Sequence, residues 1–305
     1  MKTELQSFKI VPRGDYSLEE GANFIGAWHR APSDGEEAEG HLHLAFLTDG
    51  DWRPVGVCLR QDSDRILGTV YGDAPATVVA KQVERILSLD VDGSGWPEVG
   101  KRDPVVAKLQ RMFPGFRPVN WSNAYEAVAW CLISMRISMR QGQGVKERMS
   151  RELGQSIDLH GHSLWTFPSP DRLAHLAKFP GLFGRKVEYL NALGRAALAG
   201  EVDTETLRSM RREESLESLQ RLPGIGKWGS ELVRLRALSA VNELPTQERR
   251  LLGAIRTAYG LAQEPDQRKL VQLAENWSPF EMWVCVCLRR TLEGGAGMTH
   301  SRAAQ

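Results

Sequence analysis

The stretch that decides the fold is residues 214–238, which read ESLESLQRLPGIGKWGSELVRLRAL. Apolar residues recur at helical spacing on both sides of the segment Leu-Pro-Gly-Ile-Gly, so we predict two helices joined by a tight turn. Gly224 and Gly226 have no Cβ, which lets the turn bend sharply and approach another molecule closely. The second helix starts at once, and its unpaired N–H groups, its positive dipole end and the charge of Lys227 suit a phosphate group.

The first hundred residues alternate between apolar and polar positions instead. Three such runs, at 41–47, 55–59 and 65–71, are separated by turns rich in Gly and Asp, which is typical of an antiparallel meander. A helix is predicted from about residue 75 to 89. Residues 90–100, which contain Gly and Pro, are interpreted as a linker.

From residue 104 onward the apolar spacing is helical, and Pro and Gly separate the segments. The predicted helices cover 104–112, 122–136, 139–153, 169–177, 184–198, 204–211, 214–221, 226–238, 247–258, 266–275 and 278–292. We therefore predict an α+β fold with two domains. Residues 1–100 form a small acidic domain with an antiparallel sheet and a helix, and residues 101–305 form an all-helical domain that contains the helix-hairpin-helix at 214–238.

Charge divides the chain at the same place. The protein of 305 residues has a formal net charge of +1, but residues 1–100 carry 9 basic and 17 acidic side chains, whereas residues 101–305 carry 30 basic and 21 acidic ones. The asymmetry indicates either that only the C-terminal part meets a polyanion or that this part has an ordinary solvated basic surface.

Composition excludes several classes of protein. No apolar run approaches the ~20 residues that a transmembrane helix needs, and the N-terminus lacks the apolar stretch of a signal peptide. The four cysteines (Cys58, Cys131, Cys285 and Cys287) lack C-x-x-C spacing, so the sequence indicates neither a disulfide framework nor a structural zinc site. We expect a reduced, cytoplasmic protein with no membrane partner.

The segment Leu-Pro-Gly-Ile-Gly-Lys-Trp at 222–228 resembles the helix-hairpin-helix of the HhH-GPD DNA glycosylases, above all the bacterial 3-methyladenine DNA glycosylase of type II. Residues 117–138 are similar to the family's first core helix and DNA-wedge turn, and 276–280 to the start of its closing helix. The resemblance implies a monomeric, nucleoid-associated enzyme of base-excision repair. Such an enzyme flips an alkylated purine out of double-stranded DNA and hydrolyses its N-glycosidic bond.

The same resemblance assigns the base pocket. Trp228 stands where bifunctional relatives have a Schiff-base lysine, and Lys227 is one residue away, so no β-lyase step is expected. In the alkylpurine branch a tryptophan at this position lines the pocket, because an indole ring attracts a cationic purine. Leu232 and Phe280 stand where relatives have further pocket aromatics. The alternative for Trp228 is a plain core aromatic.

A wedge that fills the gap left by the flipped base is implied at Ser134–Ser138. Arg136 would intercalate beside Met135, although the family's glutamine is absent there. The alternative is a buried Met135 and a solvated Arg136.

The resemblance also implies a Na⁺ or K⁺ ion that bridges the hairpin to a DNA phosphate. Its ligands would be the backbone carbonyls of Gln220, Leu222 and Ile225. No cofactor is expected for catalysis itself.

The main departure from the family lies after the hairpin. Aligning Leu244-Pro245 with the family's turn places Gln247 at the position of the catalytic aspartate. A carboxylate is needed there because departure of the base leaves an oxocarbenium-like sugar. Glu248 is adjacent, and either Glu248 or a water held by Gln247 would stabilise the sugar. The alternative for Glu248 is an exposed acid in the first turn that complements the helix dipole. If neither acts, the protein is a non-catalytic damaged-DNA recognition protein.

Overall fold

The computed structural model describes residues 5–28 and 40–297. Its N-terminal sheet is antiparallel with strand order β1-β4-β3-β2. The strands are β1 (Gln6–Ile10), β2 (His41–Leu47), β3 (Pro54–Asp62) and β4 (Arg65–Tyr71). The three predicted strands are confirmed as a meander, whereas β1 was not predicted because only Phe8 and Ile10 give it an apolar pattern.

Helices make up most of the remaining chain, which confirms the predicted α+β class. They are α1 (Leu18–Trp28), α2 (Ala76–Ile86), α3 (Trp96–Arg102), α4 (Pro104–Met112), α5 (Ala124–Ser134), α6 (Met139–Leu153), α7 (Pro170–Ala174), α8 (Lys186–Leu198), α9 (Thr204–Ser209), α10 (Arg212–Gln220), α11 (Lys227–Arg236), α12 (Arg249–Tyr259), α13 (Gln267–Ala274) and α14 (Glu281–Gly297). Helix α3 begins inside the predicted linker. Among the described residues, no helix is both long and apolar enough to cross a lipid bilayer.

A second antiparallel pair interrupts the helical part, which the sequence analysis treated as all-helical. Strands β5 (Ser156–Leu159) and β6 (His162–Trp165) are joined by His160 and Gly161, both with positive φ. Strands of four residues are too short for a periodic signal, and a His-Gly turn is a weaker hairpin signal than Asn-Gly. The hairpin packs on the sheet at Gly56, where an added Cβ would lie 2.6 Å from Leu159 Cδ1.

Two buried cores hold these elements together. The first joins the N-terminal sheet and α2 to the C-terminal helices, so that Val57 and Trp283 share one cluster. The second is built from α5, α6, α8, α10 and α11. Helix α11 contributes Leu235 to the first core and Val233 to the second, so it lies between them.

Arg117 links the two ends of the N-terminal part from inside the protein. It is 1% exposed, and its guanidinium donates to backbone carbonyls in two separate segments, 13–15 and 88–91. The guanidinium also lies 5.3 Å from the ring centroid of Trp283, a cation–π distance. Burial lowers the pKa of Arg117 from its ordinary value, since desolvation penalises the charge.

We predict that Arg117→Met lowers the free energy of unfolding by about 3 kcal/mol or more, because buried carbonyls lose their donors. Urea unfolding followed by tryptophan fluorescence measures this loss. Arg172→Met, at an exposed position, is the matched control and is expected to change stability by no more than about 0.5 kcal/mol. Equal stability of the two variants would contradict the assigned role.

Candidate active site

The predicted helix-hairpin-helix is formed by α10, the turn 221–226 and α11. Gly224 has φ +89°, and an added Cβ would lie 2.6 Å from Tyr189 Cδ2 and 2.8 Å from Leu132 Cδ2. Gly226 is extended, and an added Cβ there would meet nothing within 4 Å. The two glycines therefore differ in role: Gly224 is required by the fold, and Gly226 leaves an open surface at the start of α11.

One face of α11 lines a recess. Trp228, Glu231, Leu232 and Leu235 have the spacing i, i+3, i+4 and i+7, which places them on one side of the helix. The recess has an empty volume of about 580 Å³, which includes space open to solvent. It is completed by Arg236, Pro245, Glu248, Leu251, Met282, Cys285, Val286 and Arg289. Trp228 is 41% exposed, so its indole is open to solvent at this recess.

Two carboxylates line the recess, and the first is Glu231. It is buried and accepts hydrogen bonds from the backbone N–H groups of Thr246 and Gln247, both at 2.8 Å. It also accepts the Thr246 hydroxyl at 2.8 Å and pairs with Arg212 at 3.0 Å. These contacts hold the turn before α12 in place. Sequence analysis missed Glu231, although its i+3 spacing from Trp228 is a signal that could have found it.

The second carboxylate is Glu248, the N-cap residue of α12. Its Oε1 accepts the backbone N–H of Arg250 at 3.1 Å and lies 4.0 Å from Arg289 Nη1. Gln247 is exposed, and its side-chain amide donates to Thr246 Oγ1 at 3.1 Å. Of the two candidate catalytic residues, Glu248 lines the recess and Gln247 does not.

Phe280, which was predicted to line the base pocket, lies in the first core and does not line the recess. It is 2% exposed and packs against Trp96 and Trp283, with ring centroids 5.6 and 4.9 Å away. The turn that closes with the hydrogen bond from Phe280 N–H to the Trp277 carbonyl directs the ring into the first core. Met282 and Val286 line the recess instead, so we leave Phe280 out of the pocket.

The predicted wedge and the hairpin border one surface groove, although they are about 90 residues apart in sequence. Met135 and Arg136 line it together with Gly224, Gly226 and Lys227. Arg136 is exposed and has φ +55°, an uncommon conformation for a residue other than glycine.

Both ends of the wedge turn are fixed by hydrogen bonds. Lys186 Nζ donates to the Ile133 carbonyl at 2.7 Å at the end of α5, and a capping box of Ser138 and Gln141 begins α6. Arg136 is therefore presented from a turn with firm boundaries.

The cysteines near the groove and the recess are not nucleophiles. Burial raises the pKa of Cys131 to about 12 and raises the pKa of Cys285 well above its ordinary value. Both thiols therefore remain protonated at neutral pH, and a protonated thiol is a poor nucleophile.

The hairpin carbonyls suit a monovalent cation by their chemistry. Gln220 ends α10, where helix carbonyls lack partners within the helix, and the Leu222 carbonyl accepts the Ile225 N–H at 3.1 Å with a lone pair to spare. The side chains of Leu222 and Ile225 are buried, which anchors the turn. Carbonyl oxygens are ligands that hard cations prefer.

The sequence and the fold of the chain were compared with those of known proteins. No family model matches the chain. DNA-3-methyladenine glycosylase of Bacillus subtilis is 24% identical over 218 residues, which are 70% of this chain and 72% of that protein. DNA-3-methyladenine glycosylase 2 of Escherichia coli is 27% identical over 139 residues, 44% of this chain and 48% of that protein. The solved structure of 3-methyladenine DNA glycosylase from Archaeoglobus fulgidus has a TM-score of 0.76 at 21% identity, covering 92% of this chain and 97% of that chain.

These findings confirm the resemblance that residues 222–228 predicted. The chain has the fold of the helix-hairpin-helix DNA glycosylases. Within that class its sequence relatives carry the name of the 3-methyladenine type, including the type II protein of E. coli.

We predict that Gly224→Ala lowers the free energy of unfolding by about 2–3 kcal/mol, because the new methyl group adds a left-handed backbone penalty to a clash with Tyr189 and Leu132. Thermal and urea unfolding measure the difference. Gly226→Ala is the matched control and changes stability by less than about 1 kcal/mol. A Gly224→Ala protein as stable as the Gly226→Ala protein would refute the structural role of Gly224.

Proposed function

We propose that the protein is a DNA glycosylase of base-excision repair that removes alkylated purines by hydrolysis. One observation carries the proposal: Trp228, at the start of α11, and Glu248, at the start of α12, line the same recess beside a helix-hairpin-helix. An aromatic surface for a cationic base and a carboxylate for the sugar are the two groups that the reaction needs. The names of the relatives support the same activity.

DNA is the partner, and the groove beside the recess is the proposed contact surface. The N–H groups at the start of α11 and the charge of Lys227 would bind a phosphate. Arg136 would enter the duplex where the damaged nucleotide leaves it. We propose that the protein acts as a monomer on chromosomal DNA, which places it at the nucleoid.

The chemistry follows from the charges in the recess. An alkylated purine carries a positive charge and is a good leaving group, and the Trp228 ring stabilises it by cation–π attraction. As the bond breaks, its electron pair leaves with the purine and positive charge moves to the sugar, where Glu248 would stabilise it. Water then adds to C1′ of the sugar and loses a proton, which gives the abasic site. Lys227 borders the groove, and no lysine lines the recess in the part of the chain that the structure describes, which supports hydrolysis without a Schiff base.

We predict that Glu248→Gln slows single-turnover release of 3-methyladenine from methylated duplex DNA by about 10²–10³-fold, since one transition-state charge is lost. Quantifying the released base and the abasic sites measures the change. Glutamine keeps the acceptor that caps α12, so unfolding stability and duplex affinity are expected to stay near those of the wild type.

Glu275→Gln, which removes an exposed acid elsewhere, is the matched control and keeps the wild-type rate. Unchanged release by Glu248→Gln would refute the role of Glu248. A wild-type protein that binds the methylated duplex tightly without releasing base would instead identify a non-catalytic recognition protein.

A cation at the hairpin is the second part of the proposal. The carbonyls of Gln220, Leu222 and Ile225 would hold Na⁺ or K⁺ and connect it to a DNA phosphate. The hairpin turn would present these oxygen ligands, and the buried side chains of Leu222 and Ile225 anchor the turn.

We predict that replacing K⁺ by choline at constant ionic strength weakens duplex binding by roughly fivefold, because the organic cation is too large for the carbonyls. Fluorescence anisotropy with a labelled duplex measures the dissociation constant. The unfolding midpoint of the free protein serves as the control and is expected to be unchanged. Equal affinity in both salts would contradict a cation bridge.

A further inference from the structure

Three histidines and a cysteine meet on the N-terminal sheet, away from the residues of the proposed recess. His41 and His43 are two residues apart on β2, so they project from the same face. Cys58 is the cross-strand partner of His43 on β3. His160 comes from the tip of the β5–β6 hairpin, more than 100 residues further along the chain.

The potential ligand atoms of the four side chains lie close enough together to bind one metal ion. One ligand atom from each of the four residues can be chosen so that all lie within 4.8 Å of one another. Cys58 Sγ lies 3.5 Å from His41 Nδ1. In a tetrahedral zinc site the ligand atoms are about 3.3–3.6 Å apart. Side-chain rotations that move the ligand atoms by about 1 Å therefore bring them to zinc-binding distances.

His43 provides an independent sign of a missing ligand. It is 3% exposed, and its Nε2 is buried with no hydrogen-bond partner among the described residues. Buried polar atoms in folded proteins are nearly always partnered, because an unpaired one costs about 1–3 kcal/mol. A metal ion bound through this nitrogen would satisfy it.

The residues around the four side chains orient one of the proposed ligands and leave a path for a metal ion. The Tyr71 hydroxyl lies 3.2 Å from His160 Nε2 and orients that ring, which leaves Nδ1 for a metal. His41, Cys58 and His160 border a cavity that is open to solvent, so an ion can enter.

We propose that His41, His43, Cys58 and His160 bind one structural Zn²⁺ ion. Nitrogen and thiolate ligands in a tetrahedral arrangement select zinc, and four protein ligands leave no open position for a substrate. Three ligands lie on the sheet and one on the hairpin, so the ion fastens β5–β6 to β2 and β3. The apolar contact around it is small, with Leu159 and Leu164 packed beside Cys58.

The test is the zinc content of the full chain, purified, stripped with a chelator and reloaded with Zn²⁺ alone. We expect one zinc per chain by mass spectrometry of the metal and a melting temperature that rises by roughly 3–6 °C on loading. Co²⁺ in place of Zn²⁺ should give the visible absorption of a tetrahedral site and a thiolate charge-transfer band that Cys58→Ser abolishes.

Two variants remove a ligand in different settings. Cys58→Ser acts inside the sheet, and His160→Asn acts at the exposed turn, where asparagine tolerates the left-handed backbone. Each is expected to lower zinc affinity at least about 100-fold and to abolish the thermal shift. His175→Asn, at an exposed histidine outside the four, is the matched control and keeps wild-type affinity.

Absence of stoichiometric zinc in the reloaded wild type would overturn the proposal. So would a folded His160→Asn protein that binds zinc as tightly as the wild type. Neither readout involves release of a base, so the zinc site is judged separately from the proposed enzyme activity.

Discussion

The left-handed backbone at Gly224 is the constraint on which the site depends. Tyr189 and Leu132 pack so closely against it that an added Cβ would lie less than 3.0 Å from both, so glycine is favoured at this turn into α11. The first turn of α11 borders the groove that Arg136 also lines, and Trp228 and Glu231 line the recess.

Hydrogen bonds and an ion pair of Glu231 hold the turn before α12, which borders the recess. Glu231 accepts the N–H groups of Thr246 and Gln247 and is balanced by Arg212, so the turn before α12 is tied to α11. With the turn held in this way, Glu248 borders the recess and Gln247 faces solvent. Although glutamine stands at the position that the resemblance assigns to a catalytic aspartate, the next residue places a carboxylate at the recess.

Local patterns predicted the local features. The hairpin at 214–238 and the meander followed from periodicity and glycine placement, and the family resemblance singled out Trp228 and Leu232, which line the recess. What depended on packing could not be predicted: Phe280 turns into the core, and the His160 turn reaches a sheet distant in sequence. The four proposed zinc ligands come from β2, β3 and the β5–β6 turn, where no C-x-x-C spacing marks them. The catalytic role of Glu248 stays a prediction.

The central claim is that one nucleotide leaves the duplex and enters the recess between Trp228 and Glu248. A crystal structure with a duplex that carries a cationic pyrrolidine mimic of the abasic sugar, together with free 3-methyladenine, tests it most directly. We expect the base against the Trp228 indole, the pyrrolidine nitrogen beside the Glu248 carboxylate, and Arg136 in the gap of the duplex. A sugar bound next to Gln247, or a nucleotide that remains stacked while the recess stays empty, would contradict it.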